Sequence, residues 1–219
     1  MKTAAAQTPL AVMTDADLAR ARRHLMRRDP VLGAIIKRHG ACGIKTNRAD
    51  DIFAGLVQAI VSQQLSTRAA ATIFGRLRAL MPDGSTPRPE AILAMSDEEL
   101  RAVGLSRQKT AYLRDLSAKA LAGEVRTDAL GAMSDEEVIA ELTRIKGIGR
   151  WTVEMILIFR LARPDVLPVG DLGIVRAFQK AYRLRKVPDA RRMEKIAAAW
   201  RPYRSVASWY LWASLENKP

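Results

Sequence analysis

The chain has 219 residues, 48% of them hydrophobic, enough to bury one or two compact cores and too apolar for a disordered tail protein. Lys and Arg number 36 against 23 acids, a formal charge of +13, so phosphate-rich polyanions are favoured partners unless the source proteome is uniformly Arg-rich. The single cysteine, Cys42, excludes an intramolecular disulfide and a four-cysteine metal or iron–sulfur cage, and no apolar run approaches the roughly 18 residues that cross a bilayer. Met1 to Ala11 lacks a long apolar stretch and does not read as a secretory signal.

Ala, Leu, Arg, Glu and Met dominate and alternating β-branched runs are nearly absent, so the elements read as helices. Residues 1–14 read as a disordered lead, and Asp15 opens the first helix. Asp50 to Arg78 reads as a helix pair. Ile52, Phe53, Leu56, Ile60 and Val61 recur at helical spacing, and the stripe then stops at Ser62-Gln-Gln-Leu-Ser-Thr67. Ser66 or Thr67 caps an Ala-rich helix over Arg68 to Leu80. Met81 to Pro89 is a turn-rich linker. Ala94-Met-Ser-Asp-Glu-Glu99 returns as Ala132-Met-Ser-Asp-Glu-Glu137, each with Ser three residues before Glu, the pattern of a capping box. A shared cap explains this echo better than a true repeat. After each copy comes a short helix and a Gly-containing turn, Gly104-Leu-Ser106 and Gly147-Ile-Gly149.

The second turn is the sharper motif. In Leu142-Thr-Arg-Ile-Lys-Gly-Ile-Gly-Arg-Trp-Thr-Val-Glu-Met-Ile-Leu157, Leu142 and Ile145 face Val153, Ile156 and Leu157 across a hairpin. Gly147 and Gly149 allow a turn too tight for side chains, and Ile148 plugs the joint. The following helix presents its N–H groups and positive dipole end, flanked by Lys146 and Arg150, where a phosphodiester oxygen fits without base readout. A lone Gly-x-Gly between helices is usually only a turn. With these flanks and this charge, phosphate binding is the better reading.

Lys146-Gly-Ile-Gly-Arg-Trp-Thr152 followed by Leu167-Pro-Val-Gly-Asp-Leu-Gly-Ile-Val-Arg176 resembles the helix-hairpin-helix (HhH-GPD) DNA glycosylase superfamily. Within it the likeness is to the 3-methyladenine DNA glycosylase II branch, and it runs from about Asp50 to the C-terminus. Ile60-Val-Ser-Gln-Gln-Leu-Ser-Thr-Arg-Ala-Ala70, Gly104-Leu-Ser-Arg-Gln-Lys109 and Trp200-Arg-Pro-Tyr-Arg-Ser-Val-Ala207 belong to it. The resemblance implies a compact, all-α form without the N-terminal sheet domain of longer bacterial enzymes. Two helical subdomains, about 15–50 plus 170–219 and 51–169, would flank a DNA cleft. It implies double-stranded DNA with damaged bases as the partner, a monomer, no membrane, and a place beside the genome: the nucleoid of a bacterium or the nucleus of a eukaryote.

Asp171 follows Val169-Gly170 and opens a helix over Leu172 to Tyr182, where a carboxylate is a good N-cap. By resemblance it is also the catalytic residue, stabilising the oxocarbenium-like charge that grows as the N-glycosidic bond breaks, and orienting water. Bifunctional relatives carry a Lys after the Gly-x-Gly-Arg turn that attacks the sugar. Here Trp151 follows, Lys146 does not match that position, and a monofunctional enzyme is implied.

A base drawn out of the stack needs stacking surfaces, and the gap needs a wedge. The pocket candidates are Trp151, Met155, Trp212 and Phe53; Met155 stands where the best-known bacterial form has Tyr. Trp151 serves equally as a structural packer of the hairpin, and most of Trp200, Tyr203, Trp209 and Tyr210 read as core. Gln64 or Leu65 is the wedge by resemblance, with a polar turn capped by Ser66 as the structural reading. The DNA-binding set is Lys146, Gly147, Ile148, Gly149, Arg150, Thr152, Gln64 and Leu65. Arg107 and Lys109 either grip a second phosphate or are solvated charges. No metal site and no cofactor are expected, His24 and His39 reading as surface residues, although hairpin carbonyls in relatives can hold a monovalent ion. The expected reaction is hydrolytic release of 3-methyladenine and, more broadly, 7-methylguanine. The alternatives are other lesions, such as ethenoadenine or hypoxanthine, and a non-catalytic DNA-binding module.

Overall fold

The computed structural model describes residues 13–44 and 51–216; most of the expected lead and the stretch 45–50, with Asp50, lie outside them. Among the described residues there are twelve α-helices and no β-strand. They are α1 (Asp15–Arg28), α2 (Pro30–His39), α3 (Ile52–Ser62), α4 (Thr67–Ala79), α5 (Pro89–Ala94) and α6 (Asp97–Ala102), followed by α7 (Arg107–Leu121), α8 (Asp135–Leu142), α9 (Arg150–Phe159), α10 (Leu172–Ala181), α11 (Ala190–Ala197) and α12 (Arg204–Ala213). None is long and apolar enough to cross a membrane. The fold is all-α and divides into two helical units, 51–156 and 13–44 with 157–216. Residues 157–169 therefore pack with the second unit, whereas the sequence reading placed them in the first.

In the first unit α7 is the central element, packing against α3, α5 and α6. Its Leu113 and Leu116 are fully buried, as are Leu56, Val57, Ile60 and Val61 of α3. The two echoed capping boxes form as expected: Ser96 with Glu99 starts α6, and Ser134 with Glu137 starts α8. Ser66, not Thr67, caps α4 by accepting the Ala69 N–H. Between α5 and α7, the Arg114 guanidinium donates to Asp97 and to the carbonyls of Leu93 and Met95, closing the C-terminal end of α5.

In the second unit α12 packs against α1, α2 and α10. The expected lead is shorter than 14 residues: Met13 is buried, its N–H donates to Ala162 O at 3.1 Å, and Thr14 caps α1 in a capping box with Asp17. Asp29 sits at the joint of α1 and α2, only 8% exposed. Its Oδ1 accepts the Leu32 N–H as the N-cap of α2, and its Oδ2 accepts from Tyr182 Oη at 2.6 Å and Trp200 Nε1 at 2.8 Å. Phe178 stacks on both rings. Burial, reinforced by the Asp29 carboxylate, pushes the Tyr182 phenol well above its ordinary range, so it stays a donor.

Because Asp29 satisfies a helix end and two aromatic donors together, Asp29→Ala leaves all three without this acceptor. Urea unfolding should register a loss of about 2–4 kcal/mol, from one lost cap and two orphaned donors. A variant as stable as the parent would show that these three bonds contribute little.

Candidate nucleic-acid interface and active site

The hairpin joins α8 to α9. Ile145 N–H bonds to Leu142 O, Ile148 N–H to Ile145 O, and Val153 N–H to Gly149 O, so α9 starts its ladder at Gly149. Leu142, Ile145, Ile148, Val153, Ile156 and Leu157 are all buried, which makes Ile148 the plug of the joint. The two glycines differ. Gly147 has φ +79°, and a Cβ there would lie 2.2 Å from the ring of Tyr112. Gly149 has ordinary backbone, and a Cβ there would meet nothing within 4 Å. The tight packing is thus at Gly147, and open space lies at Gly149, at the start of α9.

One face of α7 holds this hairpin. Tyr112 lies against Gly147, Asp115 Oδ2 accepts the Lys146 N–H at 2.8 Å, and Lys119 Nζ donates to Asp115 at 2.8 Å and to Arg144 O at 2.6 Å. Burial alone would raise the Asp115 pKa; the Lys119 and Lys146 hydrogen bonds and the two ammonium charges outweigh it and hold the carboxyl below the usual carboxylate range.

The flanking charges are not equivalent. The Lys146 side chain is 72% exposed, with Asp115 no closer than 3.8 Å. Arg150, expected as a phosphate flank, is committed to acids: its Nη atoms bond both oxygens of Glu136 at 2.6 and 3.1 Å, and its Nε reaches Glu154 at 3.3 Å. Thr152 is largely buried and lies in the lining of the pocket beside the α3–α4 turn.

The turn between α3 and α4 carries the wedge candidates. Gln64 adopts φ +56°, a left-handed conformation rare outside glycine, and Leu65 is 39% exposed. Gln63 is turned away from that role, its Nε2 donating to Gly147 O at 2.8 Å. Lys109, read as a second phosphate grip or a solvated charge, instead donates to Val61 O and Gln63 O, each at 2.7 Å. Gln64, Leu65, Tyr112, Gly147, Trp151 and Met155 line a pocket of about 720 Å³. Trp151 is 47% exposed there, which fits a surface ring better than a packer of the hairpin. Phe53 is absent from this lining: it is 4% exposed in the core of the unit. Of the residues missed from sequence, Tyr112, Asp115 and Lys119 share one face of α7 at three- and four-residue spacing, but polar residues elsewhere on that helix hide the stripe, and Gln63, at the end of α3, left no sign.

In the second unit Asp171 is the N-cap of α10, and its Oδ1 accepts the Ile174 N–H at 2.8 Å. The same oxygen accepts from Trp212 Nε1 at 2.8 Å. Gly173 makes this approach possible, since a Cβ there would lie 3.0 Å from Asp171 Oδ1 and 3.1 Å from the Trp212 ring. Phe159 packs on Trp212 with ring centroids 5.7 Å apart. Upstream, the chain is pinned by the Trp200–Ala207 motif. Arg204 binds both carboxylate oxygens of Asp165, Arg201 adds a third bond, and buried Ser205 bridges Arg163 O and Val166 N–H. Asp171 is therefore a half-buried carboxylate of fixed orientation at a helix N-terminus. Among the described residues no group of His, Cys, Asp and Glu is placed to hold a metal. Of the hairpin carbonyls, Ile145 O and Gly147 O already accept hydrogen bonds.

Residues 57–202, which include the hairpin and Asp171, match the model of the HhH-GPD superfamily base excision DNA repair proteins. The chain belongs to this superfamily. It is 42% identical over 158 residues to DNA-3-methyladenine glycosylase 1 of Schizosaccharomyces pombe, covering 72% of this chain and 69% of that one. The same yeast's alkylbase DNA glycosidase-like protein mag2 is 31% identical, over 90% of this chain and 94% of its own. Among solved structures, that of the S. pombe 3-methyladenine DNA glycosylase in complex with abasic DNA is similar with a TM-score of 0.78 and 37% identity, over 89% of this chain and 96% of that one.

The contrast between the glycines is measurable by urea unfolding. Gly147→Ala should cost about 2 kcal/mol or more, from the Tyr112 clash and the positive φ, while Gly149→Ala should cost about 1 kcal/mol or less as a poorer cap. Equal losses would mean that Tyr112 yields without cost.

Proposed function

We infer that the chain is a monofunctional DNA glycosylase that releases alkylated purines, 3-methyladenine first, from double-stranded DNA. One observation carries the reading: Asp171, inside the family match and in a chain 42% identical to a 3-methyladenine glycosylase, is a carboxylate held by a helix start and by Trp212.

In the proposed mechanism the hairpin meets a phosphodiester at the open space of Gly149, with Lys146 supplying charge. The tip of the α3–α4 turn, Gln64 and Leu65, enters the gap as the damaged nucleotide leaves the stack. Trp151 and Met155 of the first unit offer surfaces for the extruded base. Asp171 lies beside the sugar, where its negative charge stabilises the oxocarbenium-like transition state and orients the water that adds to the anomeric carbon, the proton that this water gives up passing through the carboxylate to solvent. The bond between that carbon and the base nitrogen breaks, and its electron pair leaves with the base. Alkylation has already made this base cationic, so it departs neutral and needs little acid assistance. No Lys stands where Trp151 stands, and the abasic strand is left uncut.

Asp171→Asn separates chemistry from folding, because Asn caps a helix as well as Asp and can still accept from Trp212. Base release from methylated duplex should fall about a hundredfold or more while DNA affinity stays within about threefold, since the charge acts in the transition state. Wild-type product should migrate intact and break only after alkali. Rapid release by the variant would remove Asp171 from the chemistry, and breaks before alkali would contradict the monofunctional assignment. Salt-sensitive binding without release by the wild type would leave a DNA-binding module.

Gly149→Asp places an anion at the proposed phosphate contact without a clash. Damaged and undamaged duplexes should both lose affinity by about tenfold. Undiminished binding by the folded variant would move the phosphate elsewhere.

A further inference from the structure

The α3–α4 turn is tied down more firmly than an exposed turn requires. The last carbonyls of a helix that ends at the surface are satisfied by water at little cost. Here Lys109 Nζ satisfies them instead, donating to Val61 O and Gln63 O at 2.7 Å each. Burial lowers the pKa of this ammonium, so desolvation works against its placement. Gln63 adds a second tie from its side chain to Gly147 O at 2.8 Å. Between these anchors and α4, Gln64 is kept at φ +56°, a conformation that costs an ordinary residue on the order of 1 kcal/mol and persists only when its surroundings fix it.

We infer that Lys109 and Gln63 are positioning residues that lock the Gln64–Leu65 tip to the helix-hairpin-helix, so that the hairpin's grip on phosphate sets where the tip enters the duplex. The inference rests on the glycosylase reading above. The tie runs through a single residue: the Gln63 carbonyl is held by α7 and its amide by the hairpin. The hairpin in turn is fastened to the same helix through Tyr112, Asp115 and Lys119. Lys109, Tyr112, Asp115 and Lys119 recur at three- and four-residue spacing, so one face of α7 sets the distance between the two segments that would meet DNA. Opening a base pair pushes back on the tip. A tip held only by its own turn would yield, whereas this one passes the load to the hairpin.

The work of opening is needed when the lesion is paired and is largely removed when no base stands opposite. The test is single-turnover release of 7-methylguanine from two duplexes, one with cytosine opposite the lesion and one with an abasic analogue opposite. Lys109→Met keeps the aliphatic stem and removes the donors; Gln63→Leu cuts the hairpin tie alone. In each variant the ratio of the paired to the unpaired rate should fall about tenfold or more, since misplacing a contacting group by about 1 Å can cost about a hundredfold. The double variant should fall no further, and Lys109→Arg should recover most of the ratio. A ratio unchanged from wild type, even with both rates reduced, overturns the inference and leaves the ties as fold stability only. Should the wild type release 7-methylguanine from neither duplex and no 3-methyladenine from methylated DNA, the glycosylase reading and this inference fall together.

Discussion

Every α-helix leaves N–H groups at one end and carbonyls at the other without internal partners, and a chain built of helices 6 to 15 residues long is largely made of such ends. Meeting that demand organises this protein. Thr14, Asp29, Asp51, Ser66, Ser96, Ser106, Ser134, Asp171 and Asp189 cap helix starts with a side-chain oxygen. Lys109 and Arg114 close helix ends, and Lys119 holds a carbonyl of the hairpin. The functional candidates are drawn from this set: the hairpin is the end of one helix meeting the start of another, and Asp171 is a cap.

How far the sequence speaks follows from how far each partner lies along the chain. The capping boxes of Ser96 and Ser134 span three residues, and their pattern is complete within one window. The buried stripe of the hairpin is equally local, and so is the start of α10 at Asp171. Asp29 meets Tyr182 and Trp200 across 153 and 171 positions, and nothing near residue 29 announces them. Lys109 reads as a phosphate grip or a solvated charge because the carbonyls it binds are 46 and 48 residues away. The glycines of the hairpin look alike in sequence, and Tyr112, 35 residues before Gly147, is what distinguishes them. Phe53 is buried in the core of its unit, and an aromatic on an apolar stripe suits a core or a pocket with the same spacing.

Charge illustrates a similar point. A surplus of +13 suggests a uniformly attractive surface, yet Arg150, beside the proposed phosphate contact, carries two acids with it. Held bidentately by Glu136, it cannot turn to a phosphate without giving up that pair. Lys146 has no such commitment beyond a distant Asp115, which makes the flexible ammonium the simpler donor of charge. Net charge therefore draws DNA in at long range, and the pairing of individual cations decides which of them can touch it.

Asp171 has an evolutionary consequence. Capping α10 and accepting from Trp212 both require an oxygen acceptor in one place, which an amide supplies as well as a carboxylate. Neither of these two bonds depends on the charge that the proposed chemistry needs. Descendants of such a gene could therefore lose catalysis in one step and keep a stable helical protein with its hairpin intact. Natural selection for folding alone would not notice the loss, and non-enzymatic paralogues are an accessible neighbour of this architecture.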